Sequence, residues 1–241
     1  MIDPLCAESG IERKALLPIC GKPMIDYVVD ALCGTELISK FYVSGLNASH
    51  NNRLIQSPSA PGPAGSAMIA IEQGIETPLL ITTADHPLLT AEMVRYFVRN
   101  AKESGADFCV GFAEKDIIHP VYPHVKRTYL TFSDTQVSGC NLFYLANNKA
   151  ISAIKFWQRA QNDRKQPWKL AWRFGLSTLT KYAFGRLSLH DGFVHASKLL
   201  GITARPILIP IPEAAIDVDK PSDKVLVESI VSQRISQAFK S

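Results

Sequence analysis

Three separated stretches of this 241-residue chain carry residue types that could handle a phosphorylated substrate. In Thr82-Thr83-Ala84-Asp85-His86-Pro87-Leu88-Leu89-Thr90 an apolar run ends on an acid and turns at once. If Pro78–Ala84 is a buried central strand, as its β-branched residues and flanking prolines suggest, Asp85 stands at the carboxyl edge of a parallel sheet, where α/β proteins bind ligands. There it is a candidate metal ligand; as Asp-x-Pro it also suits the start of an ordinary turn. A second stretch, Arg13-Lys14-Ala15-Leu16-Leu17-Pro18-Ile19-Cys20-Gly21-Lys22-Pro23, places two lysines around a short strand-like piece ahead of a helix, Pro23 to Cys33, stopped by Gly34. The third, Ile216-Asp217-Val218-Asp219-Lys220-Pro221-Ser222-Asp223, offers alternate acids whose side chains share one face if the segment is extended. Bases from one stretch and acids from two others suit a metal-bound polyphosphate.

Elements able to position these groups alternate along the first half, the pattern of a wound sheet. The spacing predicts strands at Ile38–Leu46, Pro78–Ala84 and Ala106–Ala113, with helices at Gly65–Gln73 and Thr90–Glu103, the latter capped by Thr90. Asn47–Pro63, rich in Ser, Asn, Pro and Gly, reads as a loop. Arg127–Ser133 and Asn141–Ala146 read as strands that include antiparallel pairs. A helical region follows: one helix from Asn147 to about Gln161, one opened by Pro167, and one from His190 to Leu200 before Gly201. Pro206–Ile211 returns to strand. Neither a repeat nor a composition break divides the chain, so a single domain, 1–241, is expected, with a helical insertion at about 147–203.

At the residues already quoted the chain resembles the MobA-like NTP transferase superfamily. The resemblance rests on K-x-L-x-x-x-x-G-K-P at Lys14 to Pro23, the strand ending at Asp85 with Pro87 after it, Gly139-Cys140-Asn141-Leu142, and the tail from Asp217 through Asp223. It implies a three-layer α/β/α sandwich with a Rossmann-like mixed sheet of the nucleotide-diphospho-sugar transferase type. It also implies an enzyme that moves an NMP group from an NTP to a phosphorylated acceptor and releases pyrophosphate. Lys14 and Lys22 would then offset charge on the triphosphate, with Arg13 beside them, unless they are solvated surface lysines. Asp85 and Asp219 would hold Mg²⁺, with Asp217 a direct or indirect ligand; Asp223 reads as an exposed acid in the first turn of the last helix. Gly62, Gly65 and Ser66 fall where relatives read the base, although Ser66 equally suits a helix cap. Asn141 could hold an acceptor or ribose hydroxyl, or merely turn the chain. Two alternatives stay open: a catalytically impaired nucleotide-binding homologue, and a nucleotide-sugar glycosyltransferase of the same fold, which would normally show Asp-x-Asp where this chain has Asp85-His86-Pro87.

One departure stands out. Relatives open with a strand and a glycine-rich loop, L-A-G-G-x-G-x-R, whose backbone N–H groups cradle the triphosphate, whereas no glycine precedes Gly10 here. The expectation is that this strand and loop lie upstream of Met1 or are absent, with weak activity in the 241-residue form.

Composition bounds the remaining classes. A net charge of +4 with interspersed signs suits anionic small substrates and argues against a dedicated nucleic-acid binder. The five cysteines form no C-x-x-C pair, and the histidines lack zinc-site spacing apart from His190 and His195. With no signal peptide and no apolar run long enough to span a bilayer, the cytoplasm is the expected compartment. The basic, aromatic stretch 157–200 is expected to pack on the sheet or close an oligomer interface; a lid over the acceptor and contact with a membrane surface are its alternatives.

Overall fold

The computed structural model describes residues 5–6, 10–46, 54–162 and 175–238. A five-stranded mixed sheet forms the centre. Its order is β5 (Leu79–Thr82), β8 (Gln136–Leu145), β6 (Phe108–Glu114), β9 (Ala204–Leu208), with β7 (Leu130–Thr131) pairing the start of β8 on the same edge that β5 occupies further along. β8 runs antiparallel to β5, β6 and β7, while β6 and β9 are parallel. A separate parallel pair joins β3 (Phe41–Ser44) to β4 (Leu54–Ser57). β4 lies within the segment expected to be a loop; its four residues gain a strand only by pairing with β3, a partner that local composition does not announce.

Helices cover both faces, giving the expected three layers. On one side α1 (Met24–Cys33) and α3 (Ala91–Glu103) bury Val28, Ala31, Met93, Val94 and Phe97 against the sheet residues Cys109, Leu142, Tyr144 and Ile207. On the other side α2 (Pro63–Glu72), α5 (Ile151–Asn162) and α7 (Leu189–Leu200) gather around Met68, Ile154, Phe108 and Leu145. The alternation of Leu142 and Tyr144 with Phe143 and Leu145 on opposite faces of β8 follows from the two-residue period of a strand. Trp157 of α5 lies 4.3 Å, centroid to centroid, from Phe143, so this helix packs on the sheet as anticipated. The helix expected to open at Pro167 lies outside the described residues. α6 (Leu176–Ala183) precedes α7, which ends at Gly201 with φ of 67°, a left-handed stop that glycine adopts without a steric penalty. Thr90 caps α3 by accepting from the Met93 N–H at 3.3 Å.

Several expectations need correction. α4 (Lys115–Val121), directly after β6, was not anticipated, because seven residues containing Pro120 carry little periodic signal. Between Arg127 and Ser133, strand is confined to β7. Strand β5 is half-buried along its whole length rather than fully buried, because β8 covers one edge and the other opens onto a cavity. The Asp217–Asp219 segment is irregular chain between a short 3₁₀ turn (Pro212–Ala215) and the last helix, α8 (Pro221–Ala238), so the shared strand face does not exist. Asp223 is buried, accepting from the Asp219 N–H at 3.1 Å. It is a cap for the acidic loop and not an exposed acid.

Candidate active site

Lys14 opens a 3₁₀ turn (Lys14–Leu16) that feeds a two-residue hairpin between β1 (Pro18–Ile19) and β2 (Lys22–Pro23). Cys20 and Gly21, at φ of 48° and 81°, make its turn, as a two-residue hairpin loop with both φ positive requires. Leu17, Ile19 and Met24 are buried against Val227 and Val231 of α8, which fixes the base of the turn carrying Lys14.

The ammonium of Lys14 lies 3.0 Å from Asp85 Oδ2 and 2.9 Å from Asp219 Oδ1. Three residues up to 205 positions apart thus converge at the carboxyl end of β5. The Val218 N–H donates to the Asp85 carbonyl at 2.9 Å, so the acidic loop is tied by its backbone to the end of the strand. Burial alone would lower the Lys14 pKa, but the charges of Asp85 and Asp219 outweigh it and raise it. Asp85 shows the reverse balance: burial pushes the carboxyl up, and Lys14 more than compensates, holding it below its ordinary value. Both groups are therefore ionised at neutral pH, and one ammonium facing two carboxylates leaves the cluster net negative. Asp85 Oδ1 is buried without a hydrogen-bond partner. A second cation would satisfy both conditions. Two converging carboxylates match Mg²⁺, which takes few protein ligands and keeps positions for water and phosphate oxygens, and the described residues contain no cluster of three or more His, Cys, Asp or Glu suited to a metal.

Asp217 takes a different place. Its carboxylate pairs with Arg127 at 2.5 Å and accepts from Asn141 Nδ2 at 2.9 Å. Burial raises its pKa, against the pull of Arg127, and the nearby charges of Asp219 and Asp85 add to the rise. Asn141 reaches it because β8 bulges: the register against β6 shifts between Val110 and Phe112, so that Gly111 faces Cys140, Asn141 and Leu142 together. At the bulge Asn141 adopts φ of 53°, which asparagine tolerates better than most residues. A Cβ on Gly111 would come within 3.2 Å of Leu142 Cβ, a tight contact that a larger residue could make only if its neighbours gave by a few tenths of an ångström.

The other expected site residues are dispersed. Lys22 pairs with Asp30 and lies 4.6 Å over the Tyr27 ring, away from Asp85. Arg13 is exposed. The Ser66 hydroxyl accepts from the Ala60 N–H at 3.2 Å and donates to the Ala60 carbonyl at 3.3 Å, stapling the loop before α2. Gly62 (φ of 78°) precedes that helix in a left-handed conformation that favours glycine, and Gly65 sits where a Cβ would lie 3.0 Å from Ala60 Cβ, a tight approach, so both glycines have a reason in the loop itself.

Two residues escaped the sequence. Arg127 stands in no motif, and pairing with Asp217 ninety positions away leaves no local trace. His86, only 1% exposed, is kept neutral by burial, donates Nε2–H to the Glu213 carbonyl at 3.2 Å and anchors the turn after Asp85; its place was visible, its role was not.

The mixed α/β sandwich is the nucleotide-diphospho-sugar transferase fold of nucleotidyltransferases. The chain belongs to the MobA-like NTP transferase domain family, whose pattern matches residues 9–135. A protein named probable molybdenum cofactor guanylyltransferase, from Thermococcus gammatolerans, is 25% identical over 150 residues, 58% of this chain and 74% of that protein. A solved structure described as a hypothetical transferase from Thermus thermophilus is 30% identical, with a TM-score of 0.81 over 93% of this chain and 95% of that one. The 2-C-methyl-D-erythritol 4-phosphate cytidylyltransferase of Thermus thermophilus, 12% identical with a TM-score of 0.55 over 91% of this chain and 94% of its own, shares the fold. No helix among the described residues is long and apolar enough to cross a membrane.

Proposed function

We propose that this enzyme transfers a nucleoside monophosphate group from an NTP to a phosphorylated small-molecule acceptor. An acceptor phosphate oxygen forms a bond to the α-phosphorus, and the bond from that phosphorus to the β-phosphate oxygen breaks, releasing pyrophosphate. The observation that carries this reading is the convergence of Lys14, Asp85 and Asp219 on one point at the carboxyl end of β5.

Mg²⁺, when bound, would be held by Asp85 and Asp219 and would supply positive charge against the phosphate oxygens. Lys14, already ionised and fixed between the two acids, exchanges part of that contact for the β- and γ-phosphate oxygens and offsets the charge that accumulates on the departing pyrophosphate. No side chain need remove a proton, because a phosphate nucleophile is ionised at neutral pH. Asn141, steadied by Asp217, which Arg127 in turn neutralises, keeps its amide oxygen for a hydroxyl donor on the acceptor or ribose. The loop of Gly62, Gly65 and Ser66 would lie against the base.

The guanylyltransferase likeness puts GTP first in a test and the cytidylyltransferase likeness puts CTP second. Pyrophosphate release should be followed with each of the four NTPs and a panel of sugar, alcohol and cofactor phosphates. Turnover with a phosphorylated acceptor, absent in Lys14→Met, is expected; release that is independent of the acceptor phosphate would overturn the reading.

A further inference from the structure

Thr131 and Tyr182 join two exposed pieces of chain into one patch. The Thr131 N–H donates to the Tyr182 hydroxyl at 3.3 Å, and the Phe132 and Tyr182 rings meet edge to face at 5.7 Å, which fixes the end of α6 beside β7. The chain that follows is tied to the same hairpin. The Ser133 N–H donates to the Leu187 carbonyl at 2.9 Å and the Leu189 N–H to Asp134 Oδ1 at 2.9 Å, with both leucines buried. Between these anchors residues 181–186 are all exposed, and Phe184 keeps 77% of its surface in water. Leu130 of β7, next to Thr131, is exposed as well. Single exposed apolar residues are ordinary, but Leu130, Tyr182 and Phe184 are gathered on chain whose backbone is held in place, so their exposure belongs to the folded state.

Charge selects the occupant. Residues 155–198 carry nine lysines and arginines against Asp163 and Asp191, in a chain of net charge +4, so the remainder of the chain is net negative. Within the exposed turn Lys181 and Arg186 bracket Phe184. An aromatic tip flanked by cations suits an anionic bilayer surface: the ring enters the boundary between headgroups and acyl chains, and the long basic side chains stay with the lipid phosphates. A second copy of the chain suits it poorly, because a two-fold contact sets the patch, Lys181 and Arg186 included, against itself. The patch is also near the site. Leu130 follows Arg127 by three residues, at most about 11 Å along the chain, and Arg127 holds Asp217 beside Asn141.

We propose that the turn 181–186, together with Leu130, is a peripheral docking site for anionic phospholipid surfaces. Phe184 supplies the apolar insertion, and Lys181 and Arg186 supply the attraction to lipid phosphate. Each charge near the surface contributes about fivefold in partitioning, so the contact is weak and reversible. Docking uses none of Lys14, Asp85 and Asp219 and does not depend on the proposed reaction.

The test is co-sedimentation of the 241-residue protein with vesicles of phosphatidylcholine alone and of phosphatidylcholine and phosphatidylglycerol in equal parts, with thermal melting of each variant as the control for folding. We expect binding to the mixed vesicles only, weakened by added salt. Phe184→Ser should lower it by about tenfold or more, and Lys181→Glu combined with Arg186→Glu should abolish it. Because these positions are exposed, the melting temperature should stay within about 2 °C. Absence of binding to the mixed vesicles overturns the proposal, as does binding that either variant retains in full, since lipid is then met elsewhere. A dimer in analytical ultracentrifugation that Phe184→Ser dissociates overturns it in favour of a second copy. An RNA oligonucleotide that displaces the vesicles at equal phosphate concentration overturns it in favour of nucleic acid.

Discussion

Replacing Asp85 by Asn separates the chemistry of the site from its contribution to the fold. Two unit charges 3.0 Å apart attract by about 5 kcal/mol at an effective dielectric constant of about 20. That figure must be cut sharply, because the Asp85 and Lys14 side chains keep 25% and 21% of their surface exposed, and Lys14 retains Asp219. A net cost of about 1–2 kcal/mol is reasonable for a pair between the exposed and buried limits. At about 2–4 °C per kcal/mol for a chain of this size, the melting temperature should fall by roughly 2–8 °C. The near-isosteric amide still accepts from Lys14, so the fold persists. Function should suffer far more, since the variant loses one of two carboxylates able to meet a divalent cation and one fixed charge holding Lys14 in place. A drop of about a hundredfold to a thousandfold in kcat is the expected scale for a preorganised electrostatic element. Calorimetric titration with Mg²⁺ and NTP, run beside pyrophosphate release and thermal unfolding, reads all three quantities. Equal Mg²⁺–NTP affinity and equal turnover in the two proteins would refute the assignment, whatever the melting temperatures show.

Three further outcomes are expected. Arg127→Met leaves the Asp217 carboxylate buried with Asn141 as its hydrogen-bonding partner; it should cost about 3–5 kcal/mol in urea unfolding, and adding Asp217→Asn should recover much of that. In acid, the stability supplied by Asp85, whose pKa lies below 3.8, is complete above that value and disappears as the pH falls through its folded pKa. Asp217, with its pKa above 3.8, works in the opposite sense, its penalty being relieved as the pH falls toward 3.8. Melting temperatures from pH 6 to about pH 2 should therefore collapse mainly below 3.8, and less steeply in Asp85→Asn. Ser66→Ala removes both bonds to Ala60 and should loosen the loop, raising the KM for NTP with little change in kcat; a fall in kcat at unchanged KM would place the loop outside nucleotide binding.

Much of the site was legible because its groups sit beside local signals. Asp85 follows an apolar run at a turn, Lys14 precedes a hairpin whose Cys-Gly turn is written in the chain, and Asp219 stands just before the proline that opens α8. Asp223 was misread because first-turn acids are ordinarily solvated; here the loop folds back and gives the carboxylate an N–H to accept. Lys22 looked equivalent to Lys14, yet the turn between them sends it to Asp30 and Tyr27.

The sequence by itself determined the periodic elements and the chemical types available at their ends, because helix and strand periods, caps and turns are written within a few residues. It therefore determined the layered α/β class, the helix starting at Thr90, the stop at Gly201, and the presence of two carboxylates and a lysine in separate segments. Only the tertiary structure decided which of those groups meet. Lys14 finds Asp85 and Asp219, whereas Asp217, two residues from Asp219, is turned by an irregular chain to Arg127 and a bulged Asn141. The tertiary structure also decided that β4 exists and that β5, among the described residues, pairs along one edge with β8, because strand pairing is a contact between distant residues whose sign depends on what lies alongside. Burial, pairing and charge balance are properties of the assembled neighbourhood, and no window along the chain contains that neighbourhood.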